Sequence, residues 1–125
     1  MPDPDNSQLP VLDEAVVAEL ESSVQDDRPF VVELVNAYLA DGPTQVDAIE
    51  AAVAADDAAA LVRPAHTLKS SSATVGAMRL AAAARELEMA GRAGSTESAH
   101  VASLRADWEA AVVALEAWVA RGEGR

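Results

Sequence analysis

Cysteine is absent from this 125-residue chain. Disulfides, thiolate metal sites and cysteine nucleophiles are therefore excluded. Aromatic residues are scarce, at 3%. No stretch approaches the ~20 uninterrupted apolar residues that a membrane-spanning helix needs, and the N-terminus is acidic where a secretory leader would be basic. β-Branched alternation is missing as well. Alanine is the largest part of the apolar half of the composition, with leucine and valine supplying bulk, a mixture that favours close-packed helices and gives no credible strand. Positive charge is the last deficit: nine Lys and Arg face 21 Asp and Glu, for a net charge of −12 and a pI near 4.3. Phosphate backbones and anionic membranes repel such a chain, which disfavours nucleic-acid and membrane partners. At 12.9 kDa the expectation is one domain, soluble and cytoplasmic.

Apolar spacing and helix signals divide the chain into five helices. Residues 1–10 are polar with three prolines and read as a flexible arm. Val16, Val17, Leu20 and Val24 share one face of a short first helix, with Asp13 and Glu14 in its first turn. Asp26-Asp27 followed by Pro29 starts the second, whose face Phe30, Leu34, Tyr38 continues as Val46, Ile49 and Val53. Gly42-Pro43 is expected to kink or interrupt it, leaving one bent helix or two. Asp56-Asp57 caps a third helix with a stripe of Leu61, Ala65, Leu68, Ser72 and Val75; Pro64 should bend it and Gly76 end it. Residues 77–90 form a fourth, with Leu80, Ala84 and Leu87, stopping at residues 91–94. Ser95 or Thr96 is expected to cap the last, which carries Val101, Leu104, Trp108, Ala111, Leu115 and Trp118. Narrow stripes and short loops predict an all-α antiparallel four-helix bundle over residues 11–121, capped by the short N-terminal helix, with residues 122–125 a frayed tail.

On the wheel of the third helix, His66 points about 140° away from the core stripe, toward solvent. Val62, Lys69, Ser70 and Ala73 surround it. A lone surface histidine is usually only a polar residue. Here the imidazole offers a ring-nitrogen lone pair near neutral pH, Lys69 at i+3 can balance a phosphoryl group, and the small residues leave room for a partner.

The segment Ala65-His66-Thr67-Leu68-Lys69-Ser70-Ser71-Ser72, followed by Gly76, Leu80, Leu87 and Glu88, resembles the signature of histidine-containing phosphotransfer domains. The likeness extends from about Leu12 to Trp118. It implies a phosphorelay carrier: His66 accepts a phosphoryl group through Nε2 and Lys69 is its charge partner. Glu88 falls where relatives carry Gln or Glu, able to orient the ring through Nδ1, and Arg92 at a basic position that supports transfer in some members. Val62, Ser70 and Ala73 would meet the partner. The resemblance further implies a phosphotransfer intermediate and not an enzyme. No cofactor would be bound by this chain, Mg²⁺ and the catalytic groups lying on the partner receiver. The partners would be response-regulator receiver domains and a hybrid sensor histidine kinase, and the chain a monomer. Two departures stand out: Ser70 replaces the usual glycine, and Pro64 is not part of the pattern.

Two other readings compete. A helical scaffold with an unused histidine would share the fold. Glu97 and His100 have the Glu-x-x-His spacing of di-iron helices, but such sites need two pairs and only one is present.

Overall fold

The computed structural model describes residues 9–25 and 27–123, and these form five helices and no strand. They are α1 (Glu14–Ser23), α2 (Arg28–Ala54), α3 (Ala58–Thr74), α4 (Met78–Arg92) and α5 (Leu104–Glu123). Residues 1–8 of the expected arm, Asp26, and residues 124–125 of the expected tail lie outside the described residues. Leu9 and Pro10 are tied to α4: the Pro10 and Leu9 carbonyls accept from the backbone N–H and Nε of Arg79 at 3.1 Å each.

Three helix starts follow from a carboxylate accepting one of the unpaired first-turn amides. Asp13 accepts from the Ala15 N–H at 3.0 Å, Asp27 from Phe30 at 3.1 Å and Asp57 from Ala60 at 3.1 Å. Asp56 does not cap; it adopts φ +52° and accepts from the Thr96 hydroxyl at 2.7 Å.

α2 continues through Gly42-Pro43 as a single helix. Apolar burial on both sides of the proline, at Val35, Tyr38, Val46 and Ile49, offsets the missing hydrogen bond. Gly42 is where Trp108 of α5 seats against α2: a Cβ there would collide with the indole, 2.7 Å from Cζ2 and nearer still to Cη2 and Cζ3. The expected face of α2 is corrected in its first half. Phe30 is exposed and Leu34 half-buried, whereas Val31 and Val35 are buried. A strict four-residue spacing rotates about 40° per step, so Phe30 lies about 80° around from Tyr38 and misses the core. α3 likewise runs unbroken through Pro64, which is buried.

The expected start of the last helix is also corrected. Ser95 and Ser98 side chains accept from the Glu97 and His100 amides at 3.0 and 3.1 Å, and these local bonds compete with helix formation. α5 therefore begins at Leu104 and runs to Glu123, past the expected boundary. α4 likewise continues through Gly91 to Arg92.

α3 packs against α4 on one side and α2 on the other, and α5 packs against α2 and α4. One apolar core runs between them, from Val31 and Val35 through Leu61, Leu68, Leu80 and Leu87 to Leu104 and Leu115. Its buried polar pair is satisfied: Tyr38 and Ser72 hydroxyls lie 2.7 Å apart. α1 contacts α2, and its ends are held by charge. Arg28 stacks 3.9 Å over the Trp118 ring and pairs with Glu21, while Arg121 pairs with Glu14. The α3–α4 turn needs Gly76, at φ +83°, where a Cβ would approach the Asp13 carbonyl to 2.8 Å. The Asp13 N–H donates to the Gly76 carbonyl at 2.7 Å, so α1 braces this turn.

Candidate functional site

The tight turn at Gly76 sends α4 back along α3. Residue numbers fall along one helix as they rise along the other: Gly91 approaches Val62, and Glu88 lies beside His66 and Lys69. A Cβ at Gly91 would be 3.0 Å from Val62 Cγ2, so the small residue permits the close approach that brings both helices' side chains to one site.

His66 faces outward, with its side chain 53% exposed. Beside it, Glu88 is buried, with only 6% of its side chain exposed. Its Oε2 lies 3.0 Å from His66 Nδ1 and accepts from Arg92 Nε and Nη2 at 2.9 and 2.7 Å. Its Oε1 accepts from Lys69 Nζ at 2.6 Å. The Lys69 ammonium foremost, with Arg92 and His66, holds the Glu88 carboxyl at about 2, against the opposing effect of its burial. The group is thus ionised at neutral pH.

An ionised carboxylate can only accept hydrogen bonds. His66 Nδ1 must therefore carry the proton and donate it to Glu88, which in the neutral ring leaves the lone pair on Nε2. Nε2 has no hydrogen-bond partner among the described residues. Two helices thus fix the tautomer of an exposed imidazole and leave its free nitrogen able to act as a nucleophile.

Of the residues singled out from the sequence, His66, Lys69, Glu88 and Arg92 converge within hydrogen-bonding distance of one carboxylate. Ser70 and Ala73 are exposed along the same side of α3, and Val62 is half-buried against Gly91. What the spacing did not reveal is that Lys69 is engaged by Glu88. The Glu88–Arg92 contact, by contrast, is an i,i+4 pair visible in the sequence. Glu97 and His100 lie in the α4–α5 connection, outside any helix. Among the described residues no group of three or more His, Asp or Glu is placed to hold a metal ion.

Comparison with known proteins gives the same direction. Residues 33–118 match the family model of the Hpt domain. The chain is similar in structure to the histidine-containing phosphotransfer protein B (HptB) of Pseudomonas aeruginosa PAO1, with 27% identity and a TM-score of 0.78 over 90% of this chain and 96% of that one. It also shares its fold with the HPT domain of an Hpt sensor hybrid histidine kinase from Shewanella, at 17% identity and a TM-score of 0.72 over 94% and 97% of the two chains. No curated protein gives a significant match.

Proposed function

This chain belongs to the Hpt domain family and works by phosphotransfer in a phosphorelay, and from that premise we propose that His66 is its phosphoacceptor, through Nε2. The observation that carries this reading is the buried, ionised Glu88 on Nδ1, which leaves the exposed Nε2 with the lone pair.

In the proposed reaction, Nε2 attacks the phosphorus of an aspartyl phosphate on a receiver domain, in line with the bond that breaks. A P–N bond forms, the P–O bond to the aspartate breaks, and the receiver's carboxylate leaves. The Nδ1 proton stays in place, shared with Glu88, whose negative charge stabilises the imidazolium that results. Lys69, on the same face, balances the equatorial oxygens once it exchanges part of its contact with Glu88 for the phosphoryl group. The reverse reaction delivers the group to a second receiver. Nothing in this scheme asks the chain to bind a cofactor; the receiver holds the Mg²⁺ and the acidic pocket, so the chain is an intermediate and not an enzyme.

Hpt domains interact with receiver domains and histidine kinases, and the partners proposed here are response-regulator receivers and a hybrid sensor kinase. The chain would act as a monomer in the cytoplasm; among the described residues no helix is long and apolar enough to cross a membrane. We read the four longer helices as an antiparallel bundle with α1 as its cap and residues 11–121 as its extent. The ring of contacts from α2 through α3, α4 and α5 back to α2 supports this.

Incubation with a receiver charged by acetyl phosphate should place an acid-labile, base-stable label on the chain. His66→Gln should abolish it, and label persisting in that variant would overturn the assignment.

A further inference from the structure

Charge is distributed very unevenly along this chain. Residues 58–85 hold four of its nine cationic side chains and none of its 21 carboxylates. They carry +4 of a net −12, which leaves −16 on the remainder. This segment is α3, the turn and the first half of α4, the helix pair that presents His66.

Within it, Lys69 is committed to Glu88, and Arg79 donates to Leu9 near the start of α4. Arg63 and Arg85 are exposed and have no hydrogen bond or ion pair among the described residues. Arg63 lies one turn before His66 on α3. Arg85 lies one turn before Glu88 on α4, which runs in the opposite sense, so the two arginines fall on opposite sides of the histidine, about 9 Å apart along the helix axes. Arg92 adds a third exposed guanidinium beside Glu88, whose charge it shares with Lys69. His66 therefore stands in a positive island on an otherwise strongly acidic surface.

We infer that this island is an electrostatic docking face for a receiver domain that is acidic around its acceptor aspartate, with Arg63 and Arg85 as its specificity-determining anchors. This rests on the phosphoacceptor reading of His66. Attraction confined to the island, with repulsion over the remaining surface, orients an acidic partner so that its aspartate meets Nε2. A partner with a basic rim is attracted instead to the faces away from His66 and is rejected as a phosphodonor. Rim charges of this kind act on encounter and on salt dependence more than on the chemical step.

The test is quench-flow transfer from an acetyl-phosphate-charged receiver with an acidic rim to the full chain, with KM and plateau rate measured from 25 to 400 mM NaCl. Wild-type KM should rise steeply with salt. Arg63→Gln/Arg85→Gln should raise KM about five- to tenfold at low salt, flatten the salt dependence and leave the plateau rate within about twofold. Val113→Glu/Ala117→Glu, on α5, makes the same change in net charge away from the island and should leave KM within about twofold. An unchanged KM in the arginine variant, an equal effect of the α5 variant, or a salt-independent wild type would overturn the inference while leaving His66 as acceptor. Should the double variant melt below the assay temperature, each single arginine variant is expected to raise KM about two- to threefold. A wild-type chain that takes no label at all would overturn both readings.

Discussion

Replacing Glu88 by glutamine keeps the shape of the side chain and removes the one negative charge shared by Lys69, Arg92 and His66. Charge-assisted hydrogen bonds are roughly twice as strong as neutral ones, whose net value is about 1 kcal/mol. Breaking a fully buried pair costs about 3–5 kcal/mol. Here the carboxylate is buried but Lys69 and Arg92 are 32% and 60% exposed, so their heads regain water. The expected loss is therefore about 1–2 kcal/mol, or about 3–10 °C in melting temperature for a domain of this size. Its pH dependence has a definite sign. The Glu88 pKa is lowered from 4.5 to about 2 in the folded chain. Its contribution is thus complete above the ordinary carboxylate pKa and disappears as pH falls from there toward about 2. Thermal melts followed by circular dichroism should show the full gap between wild type and Glu88→Gln at pH 7, narrowing below about pH 4.5 and closing near pH 2. Transfer to His66 should slow about tenfold, equivalent to about 1.4 kcal/mol less stabilisation of the imidazolium. No gap at pH 7, or an undiminished one at pH 2, would refute the assignment of Glu88 as the shared counter-charge.

Other expectations follow from the same contacts. Ala73→Glu, on the exposed side of α3 beyond Lys69, should slow phosphotransfer without lowering the melting temperature; unchanged transfer kinetics would remove Ala73 from the docking face. Gly42→Ala improves helix propensity by about 1 kcal/mol yet drives a methyl into the Trp108 ring. Overpacking of about 1–3 kcal/mol should prevail, and a raised melting temperature would contradict the packing described. Burial pushes the Tyr38 hydroxyl up to about 12, with the Ser72 bond opposing. Since it is the chain's only tyrosine, absorbance at 295 nm should show no phenolate until about pH 12 or alkaline unfolding, and a midpoint near 10 would place Tyr38 in water.

Much of the fold was legible because it depends on residues close in sequence. Asp13, Asp27 and Asp57 satisfy amides two or three positions away, and the stripes of α3, α4 and α5 need only the helical period. Errors arose where a distant residue decides. Phe30 fits a four-residue spacing but loses to Val31 and Val35, because the face of a 27-residue helix is set by what packs along its whole length. Gly42-Pro43 looks like a break in isolation, while Trp108, 66 positions away, makes that glycine a seat in a continuous helix. The late start of α5 has a local cause, but serine caps and serine turns use the same hydroxyl and the sequence does not rank them.

The site divides along the same line. Exposure of His66 is a property of α3 alone, and the wheel is sufficient to place it on the solvent side. Its tautomer is not, because that depends on which atom of which helix meets Nδ1. The Gly76 turn and the close approach at Gly91 set the α3–α4 register, and a slip of one residue would carry Glu88 about 100° around its helix and away from the ring. Lys69 illustrates the consequence. Read on one helix, it is a free cation waiting for phosphate; read on two, it is the largest of the influences that lower the Glu88 pKa. Under the proposed function the two descriptions are reconciled if Lys69 divides its contacts between the Glu88 carboxylate and the phosphoryl oxygens. In the proposed mechanism the nucleophile therefore depends on a residue whose two tasks compete, and Arg92, the second cation on Glu88, would hold the carboxylate in place while Lys69 turns to the phosphoryl group.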